Sequence, residues 1–399
     1  MARPRIAAIV TEYRRNAHAQ HIVDRFLWGY GWQGRHHHPP MDLVSLYVDQ
    51  TGEDDLSQDR AQRFPSMKIY PTIAEALTLG GDKLAVDGVV LIGEHGTYPR
   101  NEKGQTLYPR YEFFTQIVDV FRGSGRTAPV FSDKHLSWNW EWAKEMVDLS
   151  REMGFAFIAG SSIPVNRRMP AVEIPRDAEV EEVVALSPGG VDGYDIHNLE
   201  GIQCMVERRK GGETGVVSLH ALQNDAVFKA MKKGSWQSGG WDLELFEACL
   251  CRSHNLSSPR EGFNHILPRM DEMPELIRDA PASAYRYEHA DGVKVTMLML
   301  EGVIHDFTFA ARLKGHRKPL STRFFIDPNS PRNFFSPQVN AMEQMFLTGT
   351  PTYPIERTLL TTGLTAAGVE SLWLGQKRLE TPHLAIRYQP TEESTFWRS

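Results

Sequence analysis

The chain has 399 residues and a formal net charge of −6, with Lys and Arg scattered rather than clustered. It therefore lacks the basic field that draws in nucleic acid. Its 41% apolar and 24% charged residues suit a soluble globular protein, its length suits two domains, and no apolar run approaches the roughly 20 residues that span a bilayer. The start, "MARPRIAAIV", lacks the long apolar stretch and small-residue cleavage site of a secretory leader. Three cysteines, Cys204, Cys249 and Cys251, form no disulfide framework and fit a reducing cytoplasm.

In chain order, "RIAAIV" (5–10) is a short apolar run of the kind buried in a parallel sheet. A helix follows over "NAHAQHIVDRFLWGY", with Ile22, Val23, Phe26 and Leu27 at helical spacing. "DLVSLYVD" (42–49) is a second strand. "TIAEALTLGG" is a short helix with Thr72 as N-cap. "VDGVVLIG" (86–93) is a third buried strand, and "YPRYEFFTQIVDVFRGSG" an amphipathic helix. "APVFSD", "WNWEWAKEMVDLSREMG" and "FAFIAGS" continue as strand, helix and strand. This alternation over about 160 residues predicts a doubly wound parallel sheet with right-handed crossovers.

From about residue 178 the pattern changes. "EVEEVVALSP", "GIQCMVERR", "GVVSLHALQ", "VKVTMLML" and "FTFAARL" predict an open, mostly antiparallel sheet. Two helices, "SPQVNAMEQMFLTGT" and "PIERTLLTTGLTAAGVESLWLGQ", and a strand, "HLAIRYQ", end the chain. The expected division is a Rossmann-like domain over 1–162 and an α+β domain over 163–399. The helices at about 336–376 would pack back on the first domain. The apolar side of "VKVTMLML" needs cover, and a sheet-to-sheet contact in a homo-oligomer, dimer or tetramer, would supply it.

"GYGWQG" (29–34) fits G-x-G-x-x-G letter by letter. A working dinucleotide loop sits between the first strand and the first helix, where glycines admit the pyrophosphate to the backbone. "GYGWQG" follows the helix instead, so it is expected to be a surface loop away from the ligand crevice. The correct place holds "TEYRRNAH" (11–18), which has no glycine. Arg14 and Arg15 could meet phosphates there, and Asp49 ends the second strand, where an acid often holds the adenosine ribose.

The layout resembles the Gfo/Idh/MocA family of sugar-linked oxidoreductases over nearly the whole chain. "YPTIAEAL" and "VDGVVLIG" resemble the family's helix and fourth strand. "APVFSDKHLS" stands at its E-K-P motif, with Lys134 as the lysine, Asp133 for glutamate and His135 for proline. "GYDIHNLEG" (193–201) resembles the D-x-G-x-H-x-x-D helix, with His197 as the histidine, Glu200 as the second acid and Gly193 at the first. "AMEQMFLTGTPTYPIERTLLTTGLTAAGVESLWLGQ" is similar to its closing helices. The resemblance implies a hydride-transferring enzyme for a small sugar, polyol or related substrate, with NAD or NADP as cofactor. Lys134, His197 and Asp195 would be catalytic. Thr11, Glu12, Tyr13, Arg14, Arg15, Asp49 and Glu94 would face the cofactor, and His95, Tyr98, His135, Tyr194 and Asn198 the substrate.

The chemistry of these groups allows other outcomes. A buried lysine near like charge has a lowered pKa and can move protons. Histidine suits acid–base work near neutrality. Glu94, His95, Asp195 and His197 have the ligand types of a divalent-metal site. "HHH" (36–38) would bind only adventitious metal, and the tryptophans of "WNWEW" would wall a sugar site or fill core. Two readings follow. One is a cofactor-using oxidoreductase. The other is a fold relative that has lost nicotinamide and works as a metal-assisted lyase, isomerase or hydrolase, or as a non-catalytic binder. Both expect Lys134, His197 and the loop of Glu94 and His95 to converge on one cleft.

Overall fold

The computed structural model describes residues 3–256, 273–278, 281–326 and 332–398. Six strands form the first sheet in the spatial order Lys68–Ile69, Asp42–Gln50, Arg5–Glu12, Gly88–Ile92, Val130–Asp133, Phe157–Gly160. Every neighbouring pair is parallel. The reversal of order beside Arg5–Glu12 opens a crevice at the carboxyl ends, the usual ligand position in such sheets. The first strand is apolar throughout because both of its faces are covered. Ile6, Ala8 and Val10 pack with Ile22 and Val23 of the helix His18–Trp28. Ala7 and Ile9 pack with Phe113, Phe114 and Ile117 of the helix Arg110–Ser124. Thr72 caps the short helix Ile73–Thr78, accepting from the Glu75 N–H at 3.1 Å.

The first core also takes in residues from far along the chain. The helix Ser336–Thr348 contributes Val339, Met342, Met345 and Phe346 to the side that holds Ile6 and Val10. It lies so close that a Cβ on Gly88 would stand 2.7 Å from the Phe346 ring and 2.8 Å from Ile6. The helix Ile355–Trp373 follows and packs Leu359 against the first domain and Leu360 and Leu364 against the second.

The second sheet has eight strands. The central Val180–Ser187 runs parallel to Lys294–Leu300 and antiparallel to Phe307–Leu313, and the remaining pairs are antiparallel. Two expected strands are corrected. "GIQCMVERR" largely belongs to the helix Asp195–Val206. Its apolar residues Ile196, Leu199, Ile202 and Met205 recur every three residues and are all fully buried, so helical period outweighs local β propensity. "HLAIRYQ" (383–389) is not a strand: Leu379–Glu380 pairs just before it, Pro382 opens a 3-10 turn because proline lacks the N–H that a ladder needs, and within the segment Tyr388 makes a single antiparallel bridge to Glu213.

The assembly argument is also changed. One face of this sheet packs Val183, Val295 and Met297 against the helices Asp195–Val206 and Ile355–Trp373. The other face packs Val184, Leu186, Leu298 and Leu300 against Val227, Met231, Leu245 and Phe246 of the helices Asp225–Met231 and Leu243–Arg252. The chain covers the side that was to be covered by a second copy, so the reason for expecting a homo-oligomer through this sheet is gone. Among the described residues, no helix is long and apolar enough to cross a membrane.

Candidate active site

At the carboxyl edge of the first sheet, a cleft of about 390 Å³ opens between the two domains. Lys134 follows the strand Val130–Asp133 in the left-handed region, at φ 61°. Its backbone N–H donates to the Gly160 carbonyl at 3.2 Å, which fixes the turn. Its buried ammonium lies 2.8 Å from Glu94 Oε1 and donates to the Gly193 carbonyl at 3.3 Å. An ammonium has three hydrogens, so one remains for a ligand. Glu94 also accepts from Arg110 Nη2 at 2.6 Å. Arg110 is wholly buried beneath Tyr108 and within 3.2 Å of His135 Nε2. Gly93 leaves room for it: a Cβ there would meet Arg110 Cγ at 2.5 Å.

The charge states follow from this chain of contacts. Burial alone would lower the Lys134 pKa, but attraction to Glu94 outweighs it and holds the ammonium above the usual lysine range. Burial alone would raise Glu94, but Lys134 and Arg110 hold it well below the usual carboxylate range. The expected lowered lysine pKa is therefore corrected. Lys134 is a fixed cation because its strongest neighbour is an anion.

His197 lies in the first turn of the helix Asp195–Val206, with Nδ1 2.6 Å from Ser161 Oγ. Burial, then the charges of Lys134 and His18, hold its pKa well below the ordinary histidine value. It is a neutral imidazole at physiological pH. Glu200, in the second acid's position, lies behind this layer. Its carboxylate accepts from the Ser161 N–H at 3.1 Å, Thr358 Oγ1 at 2.7 Å and Thr361 Oγ1 at 3.1 Å. Glu200 thus positions the Ser161 turn that holds His197.

The other candidates divide. His95 and Tyr194 line the cleft, with burial as the main cause lowering His95 to about 4. Tyr98 instead donates to Asp49 Oδ2 at 2.6 Å, Asn198 donates to Ser187 Oγ at 3.0 Å, and His135 is buried against Arg110. Asp195 is fully buried behind the lining, accepting from the Tyr285 hydroxyl at 3.0 Å. Burial raises Asp195 to about 6, and burial raises the neighbouring Asp192 to about 7. These folded values exceed the unfolded value of about 3.9, so ionising the pair opposes folding. Stability is expected to fall as pH rises from about 4 towards 7, and the Asp195→Asn variant should flatten that slope in urea titrations at stepped pH. An unchanged slope in the variant would remove Asp195 as its source.

Sequence reasoning missed several lining residues: Asn16, His18, His21, Arg332 and Phe335. His18 opens the first helix, and its Nδ1 lies 2.7 Å from the buried Asp133 carboxylate. Its place one turn past the first strand was the available signal. The tryptophans 138, 140 and 142 lie outside the cleft. Trp142 stacks on Tyr111 and Trp138 packs edge-on against Trp142, so they do not wall this site. Among the described residues, no group of three or more His, Cys, Asp or Glu is placed to hold a metal ion. Of the four metal candidates, Glu94 is spent on two cations and Asp195 lies behind the wall.

"GYGWQG" follows the first helix, as its context implied. Gly29 ends the helix at φ 82°, and Tyr30–Trp32 pairs with Arg35–His37 as a hairpin. The hairpin does not line the cleft, though Gly29 and Gly31 border an adjoining groove of about 660 Å³ that shares Asn16, His21 and Arg332 with it. The histidine run is committed within the fold: His36 Nε2 donates to the Trp28 carbonyl at 2.7 Å, and His37 Nε2 lies 2.8 Å from Glu343.

No family model and no curated protein matches the sequence. Solved structures do match the fold. The myo-inositol dehydrogenase of Lactobacillus casei, in complex with NAD(H) and myo-inositol, superposes with a TM-score of 0.57 at 12% identity, covering 99% of this chain and 100% of its own. GenD2 from gentamicin A biosynthesis, in complex with NAD, gives 0.56 at 13% identity over 95% and 97%. A super-repressor mutant of Gal80p from Saccharomyces cerevisiae gives 0.52 at 9% identity over 97% and 100%. The chain has the inositol dehydrogenase fold. Identities this low speak for the fold alone, and it is the two-domain fold that the Gfo/Idh/MocA resemblance implies.

The residues expected to face a cofactor are engaged within the fold. Thr11 donates to the Glu94 carbonyl at 2.7 Å, and Glu12 and Arg14 pair with each other. Tyr13 is fully buried, with its hydroxyl on Asp24 at 2.5 Å. Arg15 is exposed. Asp49 is already engaged by the hydroxyls of Tyr47 at 2.8 Å and Tyr98 at 2.6 Å. Gln50 binds Thr97 twice, at 2.8 and 3.1 Å. The loop after the strand Gly88–Ile92 therefore lies across the end of the strand Asp42–Gln50. Of the residues expected to face the cofactor, Thr11, Tyr13 and Asp49 thus already have partners within the fold.

Proposed function

We propose that this protein is an oxidoreductase of the Gfo/Idh/MocA type, acting on a CH–OH carbon of a sugar, polyol or related carbohydrate derivative, with an atypical nicotinamide site. The supporting observation is the meeting of Lys134 and His197 in one cleft of a fold shared with NAD-bound sugar and polyol dehydrogenases. Phe307, Phe334, Phe335 and Ile163 give the cleft an apolar wall opposite its charged groups, which suits a ring with an apolar face and hydroxyl edges. The spare hydrogen of the Lys134 ammonium would hold the substrate oxygen and stabilise negative charge on it. Ser161 holds Nδ1 of His197, so Nε2 would accept the hydroxyl proton. Free cysteines, two of them buried, support a cytoplasmic setting.

The second reading, a relative that has lost nicotinamide, is favoured by the engaged Asp49 carboxylate and the glycine-free turn. Calorimetric titration with NAD and with NADP, each with and without myo-inositol, separates the two. Heat of binding for either dinucleotide supports the oxidoreductase. Silence up to millimolar dinucleotide sinks it and leaves the second reading.

A further inference from the structure

Two histidines enter the cleft with different backing. His18 is anchored through Nδ1 to the Asp133 carboxylate at 2.7 Å, and His197 through Nδ1 to the Ser161 hydroxyl at 2.6 Å. Their ring centroids are 6.3 Å apart, within reach of neighbouring atoms of one small substrate. Among the described residues, no hydrogen bond is made to Nε2 of either ring, and neither Nε2 is sealed from solvent as a buried orphan. A carboxylate behind Nδ1 and a hydroxyl behind Nδ1 each fix the ring and leave Nε2 turned to the ligand. The groups facing His18 and His197 from neighbouring segments are Asp133, Lys134, Glu94, His95, His21, His135, Tyr194 and Arg332. Among these, the anion in direct contact belongs to His18, and the nearby ammonium disfavours charge on His197.

We propose that His18 and His197 act as a paired acid and base on one carbohydrate in this cleft, giving a redox-neutral isomerisation beside a carbonyl that needs no dinucleotide. The inference rests on the carbohydrate reading of the cleft and goes beyond it in the chemistry. His197 Nε2 takes the proton from the carbon next to the carbonyl. The C–H electron pair becomes the C=C bond of an enediol, and the carbonyl π pair moves onto its oxygen beside the Lys134 ammonium. His18 gives its Nε2 proton to that oxygen. His197 returns its proton to the carbon that bore the first carbonyl, and the second hydroxyl gives up its proton as the new carbonyl forms, which yields the isomer. His18 recovers its proton when the carbonyl reforms, so no electrons leave the substrate.

The test uses the full chain in D2O with D-fructose and with 2-keto-myo-inositol, no dinucleotide added. Proton NMR follows loss of the signal from the carbon beside the carbonyl. Exchange well above the protein-free control is expected, and His18→Asn and His197→Asn should each lower it about 100-fold or more. Asp133→Asn should lower it about 10-fold or more and move the alkaline limb of its pH profile downward, because Asp133 is a positioning residue. A purely structural Asp133 would leave that limb in place. Circular dichroism melts identify variants that fail to fold, and His18→Gln then repeats the measurement with a longer amide. No exchange with either probe, or exchange untouched by the His18 variants, overturns the proposal. Nicotinamide absorbance is read separately. A protein that reduces NAD but exchanges nothing keeps the oxidoreductase reading and loses this one, and exchange without NAD reduction gives the reverse.

Discussion

Replacing Lys134 by methionine is expected to lower kcat by about 10²–10³-fold, the usual loss when a positioned charge is removed from a reacting oxygen. Methionine fills the volume and offers no proton. Stability is expected to fall as well, by about 1–3 kcal/mol, because Glu94 loses one of its two cations while staying buried. Arg110 remains at 2.6 Å, which keeps the loss below that of a fully stranded carboxylate. Lys134→Arg should not restore activity, since a planar guanidinium cannot reproduce a compact ammonium between Glu94 and Gly193. Steady-state kinetics with urea unfolding of the same samples checks both halves. Unaltered kcat in Lys134→Met would remove the lysine from the chemistry.

The largest loss of stability is expected at Arg357. Its guanidinium donates to Glu207 at 2.9 and 2.5 Å, and both side chains are almost fully buried. The pair joins the helix Ile355–Trp373 to the residue just past the helix that carries His197. Arg357→Met leaves Glu207 buried with only the Tyr388 hydroxyl at 2.8 Å. Breaking such a pair costs about 3–5 kcal/mol. The double variant Arg357→Met with Glu207→Leu removes the stranded charge and should recover most of the loss. Chemical denaturation of both variants decides the matter. A single variant losing under about 1 kcal/mol would show that the pair is solvated or replaceable.

The first domain was readable because its signals are local. The strands "RIAAIV" and "VDGVVLIG" are apolar on both faces and the helices between strands carry their own spacing, whereas the two-residue edge strand Lys68–Ile69 is too short to show a pattern. "GIQCMVERR" misled because Val, Ile and Cys are good strand formers, and only the buried surroundings of the helix favoured the longer period. At the site, Lys134 and His197 could be placed from motif position. Their charge states could not, because Glu94 lies 40 residues before Lys134 and pairs with it, and with Arg110, only in space. His18 escaped notice for the same reason, since its partner Asp133 is 115 residues away. The covering of "VKVTMLML" by residues 225–252 was also hidden, because an amphipathic helix does not announce which sheet it will meet.

The packing of Ser336–Thr348 into the first core bears on how the protein is made. When residue 160 leaves the ribosome, all six strands of the first sheet exist, yet the side bearing Ile6, Val10, Val90 and Ile92 still lacks Val339, Met342 and Phe346. About 190 more residues must be translated before that helix arrives, which takes roughly 10–40 s at typical synthesis rates. Through that interval the helix His18–Trp28 covers this flank only in part, and the remaining apolar surface is the condition that invites aggregation or chaperone capture. A ribosome stalled before residue 336 would hold a first domain unable to close, and an isolated fragment ending near residue 162 would inherit the same defect.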